Sequence, residues 1–410
     1  MPRPHSPSPH PLISPPLLFL LLLAAPTGAV EPDKDGFVPL FNGTDLSGWV
    51  PCNIATGTKA PLVDTFTVKD GMIVCTGVPT GVLRTPRMYE NFVVELEWRH
   101  MVPKGNSGFF LWADDITSRG VPFSRGLEVQ ILDGPNHPER SYTTHGDVFP
   151  IHGATAKPSN PGKWGSRSYP TEDRSKPSPE WNHYRIEANN GTVTLAVNGK
   201  VVNSTSDVSP RKGYLCLESE GGVVHFRNLR IKELPPSTDL DPKHVAIADR
   251  GFKTLYNGLS LDGWDVSDAA RLAWTAKDWT LKFDASKFPT PDNAIDYTIR
   301  TAGQYQTFTL VFDVKSDAPV DLLIPGVEKP VRVPGPEAAK PDAKPKAKPG
   351  WRRIVVVREQ GSVAIGEDNP LQKMFGPQAV AGSIGIVPTG PADFANLYVS
   401  PTLKAPVAAP

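Results

Sequence analysis

The chain has 410 residues, with 43 basic and 43 acidic side chains, 39 % hydrophobic residues, 35 glycines, 45 prolines and three cysteines. A formal charge of zero argues against a nucleic-acid partner, which needs a basic face, and three cysteines without a CxxC pair exclude a disulfide scaffold and a zinc ladder. Glycine and proline stay below the level that marks disordered chains, so packed domains are expected, two or three at this length.

The N-terminus opens polar and proline-rich and then runs apolar from Leu17 to Ala25. That core is far short of the roughly twenty residues that span a bilayer. It reads as a signal peptide over 1–29, cleaved near Ala29. The mature chain is therefore expected to be exported, periplasmic or extracellular, with no membrane span after cleavage.

From there on, apolar segments are short and alternating, with turn residues between them, the pattern of half-buried strands. Phe92 to Arg99, Gly108 to Trp112, Leu127 to Leu132, His183 to Ala188, Thr192 to Val197, Tyr214 to Glu218 and Val223 to Glu233 are the clearest. Asn190-Gly191 and Asn198-Gly199 are hairpin signals. No stretch keeps a helical period, so an all-β protein of antiparallel sandwiches is predicted.

Self-comparison divides the chain. FVPLFNGTDLSGW at 37–49 recurs as FKTLYNGLSLDGW at 252–264, and WNHYRIEANNGTV at 181–193 recurs as WRRIVVVREQGSV at 351–363. The second copy is shorter by about 45 residues between these landmarks. It lacks GNSGFFLW, EVQILDG and HGDVFPIHGA, and carries a Pro/Ala/Lys-rich loop at 330–350. The predicted domains are 36–235 and a degenerate 250–400, joined by a linker at 236–249. Motifs common to both copies are expected to be structural, with the early tryptophans packing inside, and motifs unique to the first copy are the site candidates.

Those motifs supply the candidate residues. In Glu128-Val129-Gln130-Ile131 the alternation places Glu128 and Gln130 on one face. Asp133 follows, in a turn or in the site. His145, Asp147 and His152 lie in a glycine-flanked loop, where imidazoles serve as proton-transfer groups, as metal ligands or as plain loop residues bonded to carbonyls. A divalent metal held by Glu128, His145, Asp147 and His152 satisfies ligand chemistry, although no motif demands a cofactor. Glu218 and Glu220 share a face and are absent from the second copy, which fits either glycosidic-bond chemistry or an open sheet face. Asn106 and Trp112 could line the same cleft, Trp112 as a sugar platform or as a core residue. Arg185 either binds substrate or pairs with a sheet-face carboxylate.

In combination, LFNGTDLSGW (40–49), ENFVVELEWR (90–99), GNSGFFLW (105–112), EVQILD (128–133), WNHYRIEANNGTVTLAVNG (181–199) and GYLCLESEGGVVHFRNLRIKEL (213–234) resemble the 3-keto-disaccharide hydrolase domain family. The resemblance implies two tandem concanavalin A-like jelly-roll β-sandwich domains, the second degenerate and non-catalytic. It also implies a glycoside or oligosaccharide substrate oxidised at C3. Glu218 stands where that family often has glutamine. For ketone-assisted cleavage of such a substrate, Glu128 with His145 or His152 is expected to transfer protons, Asp133 and Asp147 to orient the histidines, and Gln130, Asn106 or a bound cation to stabilise the enolate oxygen, because these residues lie in the segment that the second copy lacks. The rivals are a two-carboxylate hydrolase of ordinary glucosides, a non-catalytic lectin-like surface protein and a structural surface protein whose second domain is an interaction module.

Overall fold

The computed structural model describes residues 1, 31–55, 64–136, 144–162, 165–284, 286, 296–336, 350–367 and 372–402. Residues 2–29 of the expected signal peptide and the last eight residues lie outside these. Among the described residues the protein is two antiparallel β-sandwiches, each with its own hydrophobic core.

In the first, a nine-stranded sheet runs in the order Thr155–Pro158, Lys200–Ser209, Thr192–Val197, Asn182–Asn189, Phe92–His100, Val224–Glu233, Met72–Cys75, Phe66–Lys69, with Val38–Pro39 added on Val224–Glu233. A six-stranded sheet faces it, in the order Val50–Cys52, Gly81–Arg84, Tyr214–Ser219, Asn106–Ala113, Gly126–Leu132, Val148–Ile151. Alternation sends Phe109, Leu111, Val129, Ile131, Leu215 and Leu217 of the six-stranded sheet inward, onto Val94, Leu96, Trp98, Tyr184 and Ile186 of the other. The two hairpins form as the sequence dictates: Asn190, Gly191, Asn198 and Gly199 all have positive φ, the conformation of a tight two-residue turn.

The second sandwich repeats this strand order in shorter form, with eight- and five-stranded sheets. Trp49 and Trp264 are both buried, and Asn42 and Asn257 open the same turn by accepting two backbone N–H groups each. One expectation is corrected. The loop at 330–350 begins as a strand, Val331–Val333, paired with Val320–Leu323; residues 337–349 lie outside the described ones. The second sandwich thus keeps short counterparts of Asn106–Ala113 and Gly126–Leu132, with an Asp321–Arg332 pair across them in place of the acidic cluster, because its five-stranded sheet still needs edge partners to close over the core.

The two sandwiches are packed together. On the outer face of the first large sheet, Glu95 binds Arg230 and Arg185, and Glu97 binds Arg227. The same register positions in the second carry Val311, Tyr398 and Val355, which enclose Ile116 from the loop that links Asn106–Ala113 to Gly126–Leu132. A face that stays charged in water in one copy has turned apolar at these positions in the other because it is covered, and the charge that remains there, Asp313, is buried in a pair with Arg353.

Candidate active site

The outer face of the six-stranded sheet gathers the acidic candidates. Asn106 and Gly108, Glu128 and Gln130, and Glu218 project from three adjacent strands, since Gly108 pairs with Gln130 and Phe110 with both Glu128 and Cys216. A Cβ on Gly108 would stand 2.8 Å from Oε2 of Glu218 and 2.9 Å from Oε1 of Glu128. The two carboxyls converge over the Gly108 Cα, and any side chain there would push them apart. Both are buried, and Oε2 of Glu218 has no hydrogen-bond partner among the described residues. Glu220 joins them just past the end of its strand and accepts a hydrogen bond from Nδ2 of Asn106. Nε2 of Gln130 donates to Oδ1 of Asn106 at 2.7 Å, fixing that amide.

Three acids so close in a dry site cannot all ionise. Burial first, and then the Glu220 charge, pushes the Glu128 carboxyl well above its usual range. Glu218 is raised by burial and by Glu128. Glu220 is raised by burial to about 7, held back by its bond to Asn106 and by the Arg167 guanidinium. Burial and mutual repulsion favour the protonated forms of Glu128 and Glu218, while Glu220 titrates at about 7. It can both donate and accept a proton.

Arg167 is the residue that the sequence reading missed. Its guanidinium lies 3.4 Å over the Phe149 ring, donates to Oδ2 of Asp147 at 3.2 Å, and counters the charges of Glu128 and Glu220. It sits in a loop without a motif, and only its absence from the second copy marked it. Asp147 is buried and positions this arginine rather than a histidine.

Other expected residues are placed elsewhere. His145 lies behind the sheet, within the core, with ring centroids 5.2 Å from Trp98 and 5.5 Å from Tyr184. Its Nδ1 meets the Leu132 carbonyl at 3.1 Å, and burial pulls its pKa down to about 4. It is a neutral packing group, not a proton shuttle. His152 is exposed at the rim, stacked on Phe123. Asp133 staples loops, accepting from the backbone N–H groups of Lys104 and Ser178 and from Asn136. Trp112 is fully buried and donates to the Glu90 carbonyl, so it is no sugar platform. Its φ of 55° marks a bulge that turns both Leu111 and Trp112 inward. Arg185 belongs to the opposite sheet, paired with Glu95 and Glu187. The four-ligand set of Glu128, His145, Asp147 and His152 is not brought together, and among the described residues no group of three or more histidine, cysteine or acidic side chains is placed to hold a metal ion. All three cysteines are buried and free.

Residues 36–232 match the family described as the 3-keto-alpha-glucoside-1,2-lyase-like domain. This segment is similar to that family and spans just under half of the chain. It includes every residue of the acidic cluster, and the second sandwich lies outside it. No curated protein matches the chain. Among solved structures, two candidate glycosyl hydrolases from Parabacteroides distasonis are 26 % and 24 % identical. They cover 49 % and 48 % of this chain and 95 % and 99 % of their own, with TM-scores of 0.37 and 0.35. A non-specific endo-beta-1,3(4)-glucanase is 12 % identical over 50 % of this chain and 92 % of its own, at a TM-score of 0.32. Among the described residues no helix is long and apolar enough to cross a membrane.

Gly108→Ala tests the geometry of the lyase-like domain directly. The added methyl displaces Glu128 and Glu218 from each other, and turnover of a glycoside substrate is expected to fall about 10²-fold, as misplaced catalytic groups do. Kinetics on the folded variant, checked by circular dichroism, would refute this if the rate stayed near wild type.

Proposed function

We propose that the first sandwich cleaves the glycosidic bond of 3-keto-glucosides by elimination, followed by addition of water. The observation that supports this reading is the buried trio of Glu128, Glu218 and Glu220, which holds both a proton donor and a titrating base on one polar face.

A ketone at C3 acidifies the C2–H bond. Glu220, the least buried of the three, takes that proton. The electron pair forms the enolate and then the C1–C2 double bond as the C1–O bond breaks. The departing oxygen receives a proton from the Glu128–Glu218 pair. Water then adds across the double bond to give the free 3-keto sugar, and the protons of the cluster are restored. We assign the Asn106 amide and the Arg167 cation to the enolate oxygen, the kind of preorganised contact whose loss costs roughly 10²–10³ in rate; Gln130 holds Asn106 in place, its two N–H groups being given to Asn106 and the Ser107 carbonyl.

Export of the chain remains part of the proposal, carried by the N-terminal apolar run. The decisive experiment compares a 3-keto-glucoside with the matching unoxidised glucoside. Release from the keto form alone is expected. Cleavage of both would favour ordinary two-carboxylate hydrolysis, and binding without release would favour a lectin.

The rate should also depend on pH through Glu220. Below about 7 its carboxyl is protonated and cannot act as base, so kcat/KM should rise with pH across that value. Glu220→Gln should abolish that limb along with most of the rate. A profile unchanged in the variant would remove Glu220 from the mechanism.

A further inference from the structure

The second sandwich contains an aromatic site that the carboxylate chemistry does not use. Its hairpin Trp274–Lys277 to Thr280–Phe283 turns through Asp278 and Trp279. The corresponding hairpin of the first sandwich, Phe66–Lys69 to Met72–Cys75, turns through Asp70 and Gly71. Gly71 has a φ of 72°, ordinary for glycine, whereas Trp279 is held at 33°, in the left-handed region that a bulky side chain avoids. Strain of this kind persists where surrounding structure or function requires it.

Trp279 meets Trp351, with ring centroids 6.0 Å apart and planes at 40°. Both are half-buried, so part of each indole reaches the surface. The counterpart of Trp351 in the first sandwich is Trp181, whose ring is covered by Arg99 at 4.5 Å and Arg227 at 3.9 Å. Those register positions hold Lys315 and Ala395 in the second sandwich. The arginines are gone, Gly120 of the first sandwich abuts one side of the Trp351 ring, and a second tryptophan has been added beside it. Lys277, Lys282, Lys315 and Asp393 rim the resulting concavity. Lys282 pairs with Asp393 at 3.5 Å. On its other side, Asp278 accepts from the backbone N–H and the hydroxyl of Thr80, at 2.8 and 3.0 Å, which fixes the turn against the first sandwich.

From this geometry we infer that Trp279 and Trp351 form a saccharide-binding subsite for a pyranose unit of a glycan chain, separate from the carboxylate cluster. The tilted indoles offer an apolar platform for the C–H face of the ring. The lysines and Asp393 supply donors and acceptors to its hydroxyls, the usual composition of a small-ligand site.

The test is affinity electrophoresis and tryptophan fluorescence with barley β-glucan, xylan and polygalacturonate, on the full chain carrying Glu128→Gln so that no substrate is consumed. Binding to at least one polymer is expected, and Trp279→Gly should weaken it tenfold or more. Glycine suits this turn, so the variant should melt no lower than its parent, and Trp279→Tyr should keep most of the affinity. In the wild-type background, Trp279→Gly should leave turnover of a small 3-keto-glucoside unchanged, so that this proposal and the catalytic one fail separately. No binding to any of the three polymers, binding that Trp279→Gly leaves intact, or a dimer that Trp279→Gly dissociates would each overturn the inference.

Discussion

Glu128→Gln is expected to lower turnover of a 3-keto-glucoside by about 10²–10⁴, the range lost with a positioned acid or base. The fold should survive, because glutamine has the shape of the protonated acid that the site already favours. The same replacement at Glu218 carries a second, thermodynamic signature. Unfolded, these carboxyls titrate near 4.5; folded, Glu128 and Glu218 hold their protons well above that value and Glu220 to about 7. At these groups the native state binds more protons, so their contribution to stability is fully present below about 4.5 and is lost as pH rises, for Glu220 through about 7. In Glu218→Gln one of the coupled acids is gone, so the fall in melting temperature between pH 5 and 9 should be shallower. Melting curves across that range decide it: parallel profiles for the two proteins would mean that the acids are not coupled as described.

Asp313→Ala is expected to be the most destabilising single change in the second sandwich. Asp313 and Arg353 are both buried, with bonds of 2.7 and 2.9 Å, on the covered outer face of the eight-stranded sheet. Around them, the Gly120 N–H donates to Asp313, Arg353 donates to the Thr117 carbonyl, and Asn396 donates to Ser118 and Val121. Removing the aspartate leaves a buried guanidinium and a backbone N–H uncompensated, a loss of about 3–5 kcal/mol. Replacing both charges by leucine and methionine should still destabilise, because the Thr117 and Gly120 backbone groups would lose their partners. The loop held in this way, 114–125, links the strands that carry Asn106 and Glu128, and its Phe123 packs on Phe110 and His152. Turnover by Asp313→Ala should fall with stability. A melting temperature within about a degree of wild type would show that the two sandwiches do not depend on this pair. The second sandwich is thus a clamp on the loop behind the acidic site, a role that follows from Val311, Val355 and Tyr398 standing where the first sandwich has charged residues.

The sequence by itself determined the local structure. Period-2 alternation located the strands around the site, Asn-Gly pairs set two hairpins, and the unequal copies separated framework from chemistry, pointing to Glu128, Gln130, Asn106, Glu218 and Glu220. Each of these signals is local, carried by neighbours in one chain segment. Only the tertiary structure decided which sheet and which side each side chain belongs to. Alternation assigns Arg185 to a polar face but cannot say that this is the face of the opposite sheet. A bulge at Trp112 reverses the expected direction for one residue. A loop histidine such as His145 is polar in sequence yet folds into the core once a carbonyl satisfies it. Arg167 becomes part of the site through a loop that returns across Phe149, and the convergence of Glu128 and Glu218 over Gly108 brings together side chains 90 residues apart in the chain. Both depend on strand register and loop closure between distant segments, which no local pattern encodes.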